Sequence, residues 1–297
     1  MATTGFIGLG RMGKPMASNL QKKGHGLVVY DLAPGPVKEL AALGAKAVTS
    51  IAEVAKNADI VITMLPSGIE VEQILLGPDG VIANAKRGTL LMDMSTIDPQ
   101  TTDRLAAQAK EAGMTMVDAP VGRLASHADR GECLFMVGAS EADLARVKPL
   151  LEAMGNTIHH CGAVGTGMRT KLVNNYLSIV SCQMNAEALA LSQRFGLSLE
   201  KTLDVLYGTT ATNGQLKIAW PAKVLKGDIE PGFTIELAHK DLSLIVTAAN
   251  NAKVPMPVGA AAREAFNGAR AGSYAKKDFS SMVDVLCDYA GIEKPRL

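Results

Sequence analysis

The stretch "FIGLGRMGKPMASNL", residues 6–20, decides the fold. It holds Gly8, Gly10 and Gly13 in GxGxxG spacing. Alone the spacing is a weak signal, because glycine is common; its neighbours give it weight. An apolar run precedes it, an amphipathic run follows, and a second apolar run, "GLVVYD", ends at Asp31. That order reads as strand, turn, helix, strand. Gly8 permits the tight turn, Gly10 lets backbone approach a pyrophosphate, and Gly13 lets helix and strand pack closely. The helix N-terminus offers its N–H groups and dipole to the anion. Asp31 stands where a carboxylate would accept the adenosine 2′-hydroxyl and repel a 2′-phosphate, which favours NAD over NADP.

The pattern continues outward. "ADIVITMLP", "GTLLMDMS", "TMVDAP", "CLFMVG" and "TIHHCG" are further short apolar runs. Several are apolar throughout, as strands buried on both faces are. Helix signals lie between them. "DPQTTDRLAAQAKEAG" has Asp98 at the N-cap position, Pro99 next and Gly113 at the end; "SEADLARVKPLLEAMG" runs from Ser140 to Gly155. The predicted fold class is α/β, a Rossmann doubly wound sheet.

The grammar changes near Gly162. From Met168 to Phe195 there is neither Gly nor Pro, and apolar residues are dense. One long interdomain helix is expected over about 165–195. Further helices are expected near 198–207, 215–225, 238–252, 257–271 and 278–290, with no strands. The domains are placed at 1–163 and 164–297, the second all-helical.

Composition narrows the function. With 297 residues and a net charge of +1, no basic field invites nucleic acid or an anionic membrane. No apolar run is long enough to span a bilayer, and the N-terminus lacks a basic leader. Four cysteines (Cys133, Cys161, Cys182, Cys287) lie without CxxC pairing. They suit reduced thiols and a cytoplasmic setting. His159 and His160 have no partners at metal-ligand spacing, so no metal is expected. Trp220 reads as core.

"GTGMRTKLVNNYLS" opens the long helix. Lys171, Asn174, Asn175 and Ser178 lie at i, i+3, i+4 and i+7, on one face. A Lys beside carboxamides suits carbonyl chemistry: its ammonium polarises a carbonyl and protonates the developing alkoxide, and the amine serves as base in reverse. Partial burial would lower its pKa. A polar seam between packed helices is the competing reading of the same spacing.

Taken together, these motifs resemble the β-hydroxyacid dehydrogenase family over essentially the whole chain. "GFIGLGRMGKPMASNL" resembles its cofactor motif, "DAPVGR" its substrate motif, "GTGMRTKLVNN" its catalytic motif and "HKDL" its C-terminal cofactor motif. The resemblance implies an NAD-dependent oxidoreductase that exchanges hydride with a short anionic aldehyde or alcohol. It implies Lys171 as the acid/base, with Asn175 or Asn174 orienting substrate. Arg11, Met12, Leu65 and Pro66 join the cofactor set. Ser95 and Thr96 would lie near the nicotinamide, Lys240 would close over the cofactor, and Phe233 would line the site. A homodimer or homotetramer is implied. A family scaffold that has lost catalysis would be expected to lack the Lys, which is present.

One loop departs from the family. Most members carry Ser-Gly-Gly after "PV"; this chain has Gly122, Arg123 and Leu124. A small backbone cradle gives way to a guanidinium, which grips an oxyanion through parallel N–H bonds. Together with "KLVNNYLS", "WPAKVLKGD" and "LAHKDL", it resembles a branch that reduces 3-sulfolactaldehyde during sulfoquinovose breakdown. There Arg123, Asn174 and Ser178 would meet the sulfonate. Carboxylate substrates (succinic semialdehyde, tartronate semialdehyde, 3-hydroxyisobutyrate) remain the alternative. So does an Arg123 paired with Asp129 or Glu132 and never touching substrate.

Overall fold

The structure is a computed structural model and describes residues 2–297. Its first part alternates strand and helix: β1 Thr4–Ile7, α1 Gly13–Lys22, β2 Leu27–Tyr30, α2 Pro34–Ala42, β3 Lys46–Ala47, α3 Ile51–Asn57 and β4 Ile60–Thr63. Then come α4 Gly68–Leu76, α5 Val81–Asn84, β5 Leu90–Asp93, α6 Pro99–Glu111, β6 Thr115–Asp118, β7 Val121–Gly122 and α7 Ala125–Asp129. β8 Cys133–Gly138, α8 Glu141–Met154 and β9 Gly155–Gly162 complete it.

Strands β1 to β6 are parallel in the order β3-β2-β1-β4-β5-β6. β8 turns back antiparallel beside β6 and β7, and β9 runs parallel to β8. Alternate residues feed two cores. Phe6, Val29, Ile62 and Met92 enter one; Ile7, Val28, Val61 and Leu91 enter the other. That is why the strands read as apolar throughout. The order reverses between β1 and β4, the switch point where doubly wound sheets bind ligands. The two-residue strands β3 and β7 are too short to leave a periodic trace.

The chain divides into two compact units, Met1–Lys171 and Leu172–Leu297. The sequence puts the boundary at 163/164, where the last strand ends. Compactness puts it inside helix α9, Thr166–Arg194, because that helix's first turns are tied to the sheet unit.

The second unit continues with α10 Leu199–Tyr207, α11 Trp220–Ala222, α12 Ile235–Asn251, α13 Pro257–Arg270 and α14 Met282–Ala290. Trp220, Phe266, Leu203 and Val283 sit in its core, Trp220 fully buried. The helix expected over 215–225 is broken into a π turn over Gln215–Ala219, the short α11 and a 3₁₀ turn over Val224–Lys226. Pro221 explains it: its ring excludes the carbonyl four residues back and it lacks an N–H, so the preceding turn widens. Helix α12 begins three residues earlier than expected, where the Thr234 hydroxyl accepts the Leu237 N–H at 3.1 Å. Asp98 does precede α6 at the N-cap, but its side chain makes no capping bond.

Candidate active site

The three glycines do three different jobs. Gly8 has φ of 95°, and a Cβ there would overlap the Met64 carbonyl oxygen. A Cβ on Gly13 would overlap the Gly8 carbonyl oxygen, so only glycine lets α1 pack on the turn. A Cβ on Gly10 would meet nothing within 4 Å. The space over Gly10 is therefore room for a ligand rather than a packing need. Asp31 ties the turn down: its oxygens accept the Leu9 N–H at 2.5 Å and the Ala33 N–H at 2.7 Å. Arg11 is exposed beside the turn, and Met12 packs half-buried against the core. The open cradle, the helix start and the carboxylate at the end of β2 fit a dinucleotide.

A buried polar network locks the next two loops. Ser95 Oγ accepts the Leu65 N–H at 3.0 Å and donates to Asp93 Oδ1 at 2.6 Å. Thr63 Oγ1 donates to the same oxygen at 2.8 Å. Ser95 is fully buried, so its hydroxyl joins the loop after β4 to the loop after β5. Pro66 is exposed and Thr96 half-buried at the rims of these loops. Asp93 was missed by sequence reasoning, although "LLMDMST" ends its strand on that residue.

Lys171 stands in the second turn of α9, 9% exposed, and Nζ donates to the Val121 carbonyl at 2.6 Å. That places it one residue from Gly122, in the stretch that leads to Arg123. Asp118 holds the helix that carries it. Its carboxylate accepts the Gly165 N–H at 2.5 Å and the Met168 N–H at 2.6 Å, capping α9 from the end of β6. Asp118 is fully buried, and burial pushes its carboxyl up to about 6. Arg169 adds an ion pair to Asp103 at 2.7 Å. Asp118 heads the quoted "DAPVGR", yet no sequence pattern reveals that it caps a helix far along the chain.

Beyond Lys171, the same helix leads into a second cluster. Asn174 Nδ2 donates to Asn175 Oδ1 at 3.1 Å, and Asn175 Nδ2 to Asp241 Oδ2 at 2.7 Å. Lys240 pairs with Asp241 Oδ1 at 3.0 Å. Asp241 is 2% exposed and gathers Asn175 and Lys240 around itself. It lies inside "HKDL", where only the Lys stood out. Ser178 Oγ accepts from Gln215 Nε2 at 2.8 Å. Phe233 meets Phe279 edge-on at 5.3 Å, and its loop is pinned by Asp278, which accepts the Gly232 and Phe233 N–H groups at 2.8 and 3.2 Å.

Arg123 follows β7 with φ of 71°, in the left-handed region that favours glycine. This marks the Arg as held against a backbone preference. Gly122 is buried, with room for a Cβ only 3.1 Å from Leu134 Cδ2. The Arg123 guanidinium donates to the Glu132 carbonyl at 2.6 Å, Asn156 Oδ1 at 2.7 Å and Thr157 Oγ1 at 3.1 Å. The Glu132 carboxylate instead takes Arg130 at 2.8 Å. Among the described residues no group of His, Cys, Asp or Glu is placed to hold a metal.

The family profile described as the NAD binding domain of 6-phosphogluconate dehydrogenase matches residues 3–182. The profile described as NAD-binding of NADP-dependent 3-hydroxyisobutyrate dehydrogenase matches residues 165–286. The chain belongs to the β-hydroxyacid dehydrogenase family, NAD-dependent oxidoreductases acting on CH–OH groups. It is 42% identical to 3-sulfolactaldehyde reductase of Escherichia coli K12 over 98% of each chain. It is 38% identical to human mitochondrial 3-hydroxyisobutyrate dehydrogenase, over 95% of this chain and 86% of that one. A solved structure of 3-hydroxyisobutyrate dehydrogenase from Mycobacterium tuberculosis with L-serine superposes with a TM-score of 0.88 at 35% identity, covering 96% and 99% of the two chains.

Proposed function

We propose that this chain is an NADH-dependent reductase of a short anionic aldehyde, with 3-sulfolactaldehyde as substrate and 2,3-dihydroxypropane-1-sulfonate as product, the reaction being reversible. The carrying observation is Arg123, a charged fork at a left-handed position of the substrate loop. A permanent cation suits a sulfonate, whose single charge is spread over three weakly basic oxygens. The 42% identity to a 3-sulfolactaldehyde reductase supports the same substrate.

The turn from Gly8 to Gly13, with Arg11 and Met12, would hold the coenzyme phosphates, and Asp31 the adenosine ribose, excluding a 2′-phosphate. Leu65, Pro66, Ser95, Thr96 and Lys240 would border the remainder. When bound, the nicotinamide supplies a hydride to the aldehyde carbon. The chain supplies the proton: the Lys171 ammonium gives it to the carbonyl oxygen as the alkoxide forms, and the amine takes it back in reverse. Asn175, braced by Asp241, orients the reacting oxygen. Arg123, Asn174 and Ser178 take the sulfonate, Gly122 lets it approach, and Phe233 is an apolar wall. We take the working form to be a homodimer or homotetramer. Four unbonded cysteines fit a cytoplasmic setting, in sulfosugar breakdown.

A carboxylate-substrate reading has its own support, since an Arg grips carboxylates well and several relatives are 3-hydroxyisobutyrate dehydrogenases. The test is kcat/KM with NADH for 3-sulfolactaldehyde against succinic semialdehyde. A preference of about a hundredfold for the sulfonate, about 2.7 kcal/mol, upholds the proposal. Equal rates, or a carboxylate preference, move the assignment to the second reading.

A further inference from the structure

The Arg123 guanidinium is fixed at its far end in a way that leaves one edge open. A guanidinium carries five N–H donors in a rigid plane. Nη1 directs both of its donors to protein, to the Glu132 carbonyl at 2.6 Å and Asn156 Oδ1 at 2.7 Å. Nη2 directs one to Thr157 Oγ1 at 3.1 Å. Thr157 Oγ1 itself donates to Asn156 Oδ1 at 2.9 Å, so the two acceptors sit side by side across the Nη1–Nη2 end of the fork. The remaining donors are the Nε–H and the second Nη2–H. They lie parallel on the side edge, at the spacing that grips two oxygens of one anion. Arg123 is exposed, and the nearby Glu132 carboxylate forms its ion pair with Arg130.

We propose that Asn156 and Thr157, at the start of β9, are positioning residues for substrate specificity. They hold Arg123 end-on, so that its Nε/Nη2 edge is presented to the substrate's oxyanion. This rests on the reading of Arg123 as the anion-binding residue. A long, exposed Arg left loose would surrender its rotamer freedom on every binding event; one already held has surrendered it on folding. The left-handed backbone at Arg123 serves the same end, launching the side chain from β7 across β8 to β9.

The experiment is a cycle of steady-state kinetics on the full-length enzyme with NADH and 3-sulfolactaldehyde. The variants are Asn156→Ala/Thr157→Val, Arg123→Gly and all three changes together, with Thr157→Ser retaining the hydroxyl. The double variant should raise the aldehyde KM about tenfold, leaving kcat and the NADH KM within about twofold. Thr157→Ser should behave as the parent. Added to Arg123→Gly, the double change should have no further effect, since the residue it positions is gone. If Arg123→Gly raises KM but the double variant does not, the positioning role is overturned and Arg123 as anion site stands. If the double variant multiplies the Arg123→Gly effect, the pair acts through another route and the inference is overturned. If no variant moves KM, both readings fall together.

Discussion

Gly10 and Gly13 are three positions apart and fail differently when changed. A Cβ on Gly13 would overlap the Gly8 carbonyl, so Gly13→Ala should lower the stability of the coenzyme-free protein by at least about 2 kcal/mol. A Cβ on Gly10 finds open space, so Gly10→Ala should leave that stability within about 0.5 kcal/mol and weaken NADH binding at least about tenfold. Denaturant midpoints and NADH fluorescence titrations separate the two; matching losses in both variants would refute the division of roles. Lys171 is tested in the opposite sense. Lys171→Ala should reduce kcat by about a hundredfold or more with NADH affinity nearly unchanged. Turnover at the parent rate would remove Lys171 from the chemistry. The residues proposed for these roles stood out in the sequence because each belongs to a short motif. Asp93, Asp118 and Asp241 did not, because each accepts a hydrogen bond from a residue 30, 47 or 66 positions away, from Thr63, Gly165 and Asn175 respectively.

At the scale of elements, the decisive piece is the start of α9. Its N-terminus is capped by a carboxylate from β6 rather than by its own side chains. The Asp118 carboxyl, pushed up to about 6 from an ordinary 3.8, binds a proton more readily folded than unfolded. Between about pH 4 and 6 the folded state therefore holds the extra proton, and Asp118's contribution to stability falls as pH rises through that window. The parent's stability relative to Asp118→Asn should drop by about 1–3 kcal/mol from pH 4 to pH 7. Urea midpoints across that range measure it, and a gap independent of pH would refute the assignment. Strands of four or more residues were visible as short apolar runs, and the long helices by their end signals or by a stretch without Gly or Pro. The broken stretch after Gly214 was not, because one Pro redirects a turn that is otherwise helical in composition.

At the scale of the whole molecule, α9 leaves Val173, Leu177, Met184, Leu191 and Phe195 more than half exposed. Their spacings of four and seven residues put them along one stripe. An apolar stripe of this kind supports the proposed homo-oligomer, with a second copy covering it. Light scattering should find the parent at a multiple of 31.1 kDa, and Leu177→Glu/Met184→Glu shifted toward that single-chain mass. A double variant that assembles as the parent does would place the contact elsewhere.

By itself the sequence determined the α/β class, the glycine-rich turn after β1 and the long helix, because turn chemistry and hydrophobic patterning act between near neighbours. The tertiary structure alone decided which buried carboxylates brace them, and that Arg123 is gripped at its far end by β9. Asp118 reaches a helix 47 residues on, and Arg123 an asparagine 33 residues on. Such pairings follow from strand order and register, which bring distant residues to one edge of the sheet without leaving any local pattern in the chain.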